Sequence, residues 1–164
     1  MGMIKPGTDA PSFELEGLEG SRHALQDALG RGPLLIAFFK VSCPTCQYAF
    51  PFIERLHQQF RGHGAQVWGI SQDNTRDSRS FAGEYGVTFP ILIDDHPYET
   101  SDAFGIRHVP TLFLINTQGR IELVSDGFDK KDFLAIQSWL ARQVSATPPA
   151  LFLPGERVPE FKPG

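Results

Sequence analysis

Cysteine is scarce in this chain: 2 of its 164 residues, at positions 43 and 46. That excludes a fold stapled by several disulfides, the usual device of small secreted domains, and leaves stability to an apolar core. A strong balance of one charge is missing too. The 15 Lys and Arg stand against 19 Asp and Glu, for a formal net charge of -4, with no basic run and no aromatic-basic stripe. Nucleic acid is therefore excluded as a partner, because nothing here matches a phosphate backbone. Apolar runs such as "PLLIAFF" are too short to span a bilayer, and the opening "MGMIKPGTDAPS" lacks the apolar region of a secretory signal. The expectation is a protein without membrane contact, working in the cytoplasm, or in the periplasm if a leader has been removed.

What is present is ordinary for a globular domain: 41% hydrophobic residues, 21% charged, and 14 phenylalanines. A chain of this length buries roughly two thirds of its unfolded surface, enough for one core. "SFELEGLEG" reads as a short strand entering a turn at Gly17 and Gly20. "PLLIAFF" is a continuous apolar run, the mark of a strand covered on both faces. Beyond Cys43 the period changes: Ala49, Phe52, Ile53, Leu56 and Phe60 recur every three or four residues, which predicts an amphipathic helix ending near "RGHG". "AQVWGIS" and "PILID" read as strands, with a helix over "DNTRDSRSFAGEYG" between them. A short helix over "PYETSDAFGI", a hairpin over "TLFLINTQGRIELVSDG" turning at Gln118 and Gly119, and a helix from about Asp129 complete the order. Strands alternating with helices, followed by a hairpin, predict an α/β fold: a central mixed β-sheet flanked by helices on both faces. Residues 1–146 form this domain and 147–164 a proline-rich tail.

The two cysteines carry the chemistry. Cys43 follows a buried strand and opens a helix, so its sulfur faces unpaired N–H groups and the positive end of the helix dipole, a setting that favours the thiolate needed for disulfide exchange. Cys46 lies one helical turn on, within bridging reach. A bridge across so small a loop would restrict the unfolded chain by only about 2 kcal/mol, so its value lies in being made and broken. Pro44 suits the first helical turn, where its missing N–H costs nothing, and Thr45 is small and neutral. Pro51 removes a hydrogen bond to the Gln47 carbonyl inside the helix and should bend it.

"CPTC" between a buried strand and a helix, Pro51 five residues after Cys46, and "RHVPTLFLINTQGRI" downstream resemble the thioredoxin superfamily. "PGTDAPSFEL" and "YGVTFPILID" narrow the resemblance to TlpA/ResA-type redoxins, relatives of the alkyl hydroperoxide reductase family, over about residues 4 to 145. The resemblance implies a thioredoxin-like fold and a thiol-disulfide oxidoreductase acting in cell redox homeostasis, with no cofactor. Cys43 would be the nucleophile and Cys46 the resolving thiol. Pro110 would be a cis-proline facing them, and Val109 would offer its backbone to a substrate beside Pro44 and Thr45. The implied partners are a protein disulfide or dithiol substrate and an electron-donor thiol protein.

Departures from the pattern matter. Thioredoxin has Trp where Ser42 stands, and a buried acid where Ala37 stands, so the resolving thiol needs another proton acceptor. Lys40 and His108 are candidates for tuning the Cys43 thiol, against plainer readings as a solvated strand end and a loop histidine. The Pro-Thr pair lacks the histidine of strongly oxidising relatives, which by analogy points to a reductant or a weakly poised exchanger. A peroxidase is the first rival, but its Pro and Thr places hold Ile36 and Lys40. A thioredoxin-fold binding or redox-sensing protein is the second. A metal site on Cys43, Cys46 and two histidines lacks zinc-like spacing, and none is expected. Asp94, Asp95 and Glu99 read as a solvated turn, and Trp68 and Trp139 as core.

The tail repeats an earlier pattern, since "PGERVPEF" (154–161) matches "PGTDAPSF" (6–13) at Pro, Gly, Pro and Phe. It is expected to dock through Leu151, Phe152, Leu153 and Phe161, on its own domain or, by exchange, on a second copy to give a homodimer.

Overall fold

The structure, a computed structural model, describes residues 2–164. Its elements in chain order are β1 (Glu14–Gly17), β2 (Arg22–Ala24), α1 (Leu25–Leu29), β3 (Leu34–Phe39), α2 (Pro44–Phe60), β4 (Gln66–Ser71), α3 (Thr75–Tyr85), β5 (Ile91–Ile93), α4 (Glu99–Phe104), β6 (Thr111–Ile115), β7 (Ile121–Asp126), β8 (Phe128–Asp129), α5 (Lys130–Val144) and β9 (Phe161–Lys162). Seven strands form one mixed sheet in the order β2-β1-β5-β4-β3-β6-β7, and β8 pairs with β9 separately. β3, β4 and β5 run parallel, and β6 lies antiparallel to β3.

All six residues of β3 are buried because both faces of the sheet are covered. Leu35, Ala37 and Phe39 face α2, α3 and α5, whereas Leu34, Ile36 and Phe38 face α1 and α4. α2 buries Ala49, Phe52, Ile53, Leu56 and Phe60, the stripe its periodicity predicted, together with Phe50, whose ring sits 4.4 Å from that of Phe39 and 5.3 Å from that of Phe81. Trp68 is buried, and Trp139 packs partly buried against the core. No helix among the described residues is long and apolar enough to cross a membrane.

Three features depart from the sequence reading. β2 and α1 carry too few residues for a period to show. Asp94 is not part of a solvated turn: it is buried, and its carboxylate accepts from the Ser101 N–H at 2.7 Å, the Ser101 hydroxyl at 2.6 Å and the Thr100 N–H at 3.3 Å, satisfying the first turn of α4. The third departure is in the tail. It packs against its own domain, with Leu151 1% exposed and the Phe152 ring 5.2 Å from that of Phe52, yet Leu153 and Phe161 stand 51% and 53% exposed. Polar contacts do the work assigned to them. Arg55 donates to the Leu151 carbonyl at 3.0 Å and to both oxygens of Glu156 at 2.7 and 2.6 Å, while the Gln137 side chain donates to the Pro149 carbonyl at 2.9 Å. Bidentate pairing of this kind is both directional and strong for a surface contact.

Replacing Phe50 by Ala should cost about 3–5 kcal/mol in a urea titration, since three aromatic neighbours, Phe39, Phe81 and Phe89, lose their partner; a loss below about 1 kcal/mol would mean that the site collapses around the void. The hydrogen bonds from Arg55, and then the one from the Leu153 N–H, hold Glu156 at about 2, below its ordinary 4.5. The clamp is therefore complete above pH 4.5 and is lost as the pH falls through about 2. The Leu153 amide resonance should titrate with a midpoint near 2 rather than 4.5, and should stay flat in Glu156→Gln.

Candidate active site

β3 ends at Phe39, and the chain crosses the edge of the sheet before turning into α2 at Pro44. Cys43 is the N-cap of that helix, and its sulfur accepts the Cys46 N–H at 3.1 Å, so the sulfur takes the place of a Ser or Asp cap. The Cys43 thiol in turn donates to the Val109 carbonyl at 3.4 Å. That carbonyl belongs to a loop ending in a cis Val109-Pro110 peptide, which leads into β6. The structure thus brings Cys43, Cys46, Pro44, Thr45, Val109 and Pro110 together.

The two thiols, both free, differ in depth. Cys43 is half-buried and Cys46 is fully buried. Burial above all, and then the contact with Cys43, push the Cys46 thiol far above the ordinary cysteine range. Cys46 is thus a neutral thiol held beneath a reachable one. Ala37, at the place of the thioredoxin acid, is also fully buried, so no carboxylate reaches Cys46 from that position of β3.

Lys40 and His108 are both exposed, and neither side chain is tied to Cys43 by a hydrogen bond or ion pair. Their backbones do contribute. The Lys40 carbonyl accepts the Cys43 N–H at 3.2 Å, and the His108 carbonyl accepts the Thr111 hydroxyl at 2.7 Å, which fixes the loop opposite the sulfur. At the two places where a peroxidase would carry Pro and Thr, Ile36 is buried in β3 and Lys40 is exposed beyond it.

Sequence reasoning missed Asp73 and Gln47. The Asp73 carboxylate accepts the Val41 N–H at 2.8 Å, and the Gln47 side chain donates to the Val41 carbonyl at 2.9 Å. Together they clamp both backbone groups of the residue two before Cys43. A signal existed for Asp73: it stands two residues beyond β4, whose Ser71 is in register with Phe39 in parallel pairing, so the two strands end at the same edge. Replacing Asp73 by Ala should free the Val41 segment and lower the rate of disulfide exchange roughly tenfold, as a loosened reacting group would. Asp73→Asn, which keeps an acceptor, should recover most of it. Equal rates for Asp73→Ala and the unaltered chain would show that the clamp does not position Cys43.

Comparisons with known proteins agree with this geometry. The AhpC/TSA family profile matches residues 6–124. The chain is similar to the thiol-disulfide oxidoreductase ResA of Bacillus subtilis (strain 168), 31% identical over 125 residues, which cover 76% of this chain and 69% of that protein. ResA of Halalkalibacterium halodurans is 32% identical over 126 residues, covering 76% and 70%. In fold, the thioredoxin domain of a thiol-disulfide oxidoreductase from Bacteroides vulgatus superposes with a TM-score of 0.74 at 18% identity, over 84% of this chain and 99% of that one. With more than half of its length matched and a CPTC turn at the head of α2, this chain belongs to the AhpC/TSA family.

Proposed function

We propose that this thiol-disulfide oxidoreductase works as a reductant of protein disulfides. The observation that carries the reading is the stacking of a reachable sulfur at a helix N-terminus over a buried, neutral one a turn below. Cys43 as thiolate attacks one sulfur of a substrate disulfide. A mixed disulfide forms, the substrate bond breaks, and the departing thiolate takes up a proton. Cys46 then gives up its proton and attacks Cys43, closing the Cys43-Cys46 disulfide and releasing the second substrate thiol. Two electrons have passed to the substrate, and a donor dithiol protein returns them.

The geometry supports this division of roles. Burial keeps Cys46 protonated and unreactive until Cys43 is engaged, which suits a resolving thiol. Pro44, Thr45, Val109 and Pro110 frame the reachable sulfur and offer backbone groups to an extended substrate segment. Lys40 and His108 enter the proposal through their carbonyls, which hold the two halves of the frame.

Cys46→Ser should accumulate a mixed disulfide with a protein substrate, visible as a thiol-sensitive adduct on a non-reducing gel, and Cys43→Ser should form none. Adduct on Cys43→Ser alone would reverse the assignment. The reduction potential of the pair should fall near the thioredoxin value of about -270 mV, whereas one near -120 mV would make the protein an oxidant.

A further inference from the structure

Beyond Glu156 the chain returns to the active site. Phe161 and Lys162 pair antiparallel with Asp129 and Phe128. The Pro163 carbonyl accepts the hydroxyl of Thr45, one of the two residues between the cysteines, at 2.6 Å. Gly164 lies so close to the cis-proline loop that a Cβ there would stand 2.5 Å from the Val109 oxygen, the same oxygen that accepts the Cys43 thiol. The opposite wall is equally tight. Gly127, at φ 75°, would bring a Cβ within 2.5 Å of the Lys162 carbonyl, and its N–H donates to the Pro110 carbonyl at 2.8 Å. An extended backbone therefore already fills the slot between the CPTC turn and the cis-proline loop.

The two halves of the tail are held differently. Up to Glu156 it is anchored by buried Leu151 and the bidentate Arg55 pair. The last residues are held more lightly, by a two-residue strand, the Lys130 N–H on the Glu160 carbonyl at 3.0 Å, one hydroxyl bond, the Lys162 ammonium 5.0 Å from the centre of the Tyr48 ring and a loose Lys130-Glu160 ion pair at 3.9 Å, with no side chain fully buried. So short a pairing is marginal, and an exposed ion pair adds little. Residues 161–164 are thus the more easily displaced part, and those up to Glu156 the firmer anchor.

We propose that residues 161–164 are a tethered competitor for the substrate-chain groove and so determine which disulfides Cys43 meets. Small disulfides reach the half-exposed sulfur directly. A disulfide within an extended protein chain must displace this segment, because both would use Thr45 and Val109. Granted the exchange chemistry at Cys43, the tail raises the selectivity of the site against protein chains, competing at an effective concentration on the order of millimolar.

The test uses the 164-residue chain, pre-reduced, beside Gly164→Val, whose side chain would strike the Val109 oxygen, and Glu156→Ala, which loosens the root. Single-turnover rate constants are measured with insulin and with oxidised glutathione. Both variants should react with insulin about tenfold faster, with glutathione rates unchanged within about twofold. In parallel, labelling of Cys43 by a polymer-linked maleimide should accelerate in both variants while labelling by iodoacetamide does not. Unchanged insulin rates and unchanged polymer labelling would overturn the competitor role. Faster polymer labelling in a chain that reduces neither disulfide would sustain it and overturn the exchange reading instead.

Discussion

A sulfur set at the head of a helix against a carbonyl from a loop 66 residues further on is the arrangement everything else serves. Helix α2 supplies half of it, because the first N–H groups of any helix lack internal partners and Cys43 satisfies one of them. The sheet supplies the other half. β3 and β6 are antiparallel with Phe38 opposite Thr111, so the end of β3 and the start of β6 must meet at one edge. The CPTC turn and the Val109-Pro110 loop face each other for that reason. Parallel β4 ends at the same edge and brings Asp73 to the Val41 backbone.

The same core that fixes this edge sets the two sulfurs apart. Cys46 belongs to the buried cluster that includes Leu35, Ala37, Phe39 and Phe50, where a charged thiolate is poorly solvated. Cys43, one turn earlier, remains half open to solvent. A difference in depth of one helical turn thus gives identical side chains different surroundings, with no hydrogen bond from the Lys40 or His108 side chain to the outer sulfur.

The tail extends this logic through β7. Thr111 pairs with Asp126, so β7 returns the chain to the active edge just before Gly127 and β8, and β9 adds to β8 there. The repeated Pro-Gly-x-x-x-Pro-x-Phe pattern does not mean repeated packing. Phe13 stacks edge-on to Trp68 and Phe104 at 6.1 and 5.9 Å, whereas Phe161 is mostly in solvent and contributes backbone pairing. The neighbours available to each segment decide how far its phenylalanine packs: Phe13 lies partly buried against the core and Phe161 does not.

Local pattern was sufficient for what depends on near neighbours in the chain. The apolar run of β3, the three-and-four spacing of α2, and the placing of two thiols one turn apart at a helix start were all legible, because period and capping are set within a few residues. Contacts between distant residues were not. The Asp73 clamp, the burial of Asp94 beneath α4, the exposure of Leu153 and Phe161, and the closing of residues 161–164 over Thr45 join segments 7 to 118 residues apart or depend on which neighbours cover a side chain. Strand order and register make those choices, and neither is written in the local hydrophobic pattern, which says that a residue will be covered but not by what.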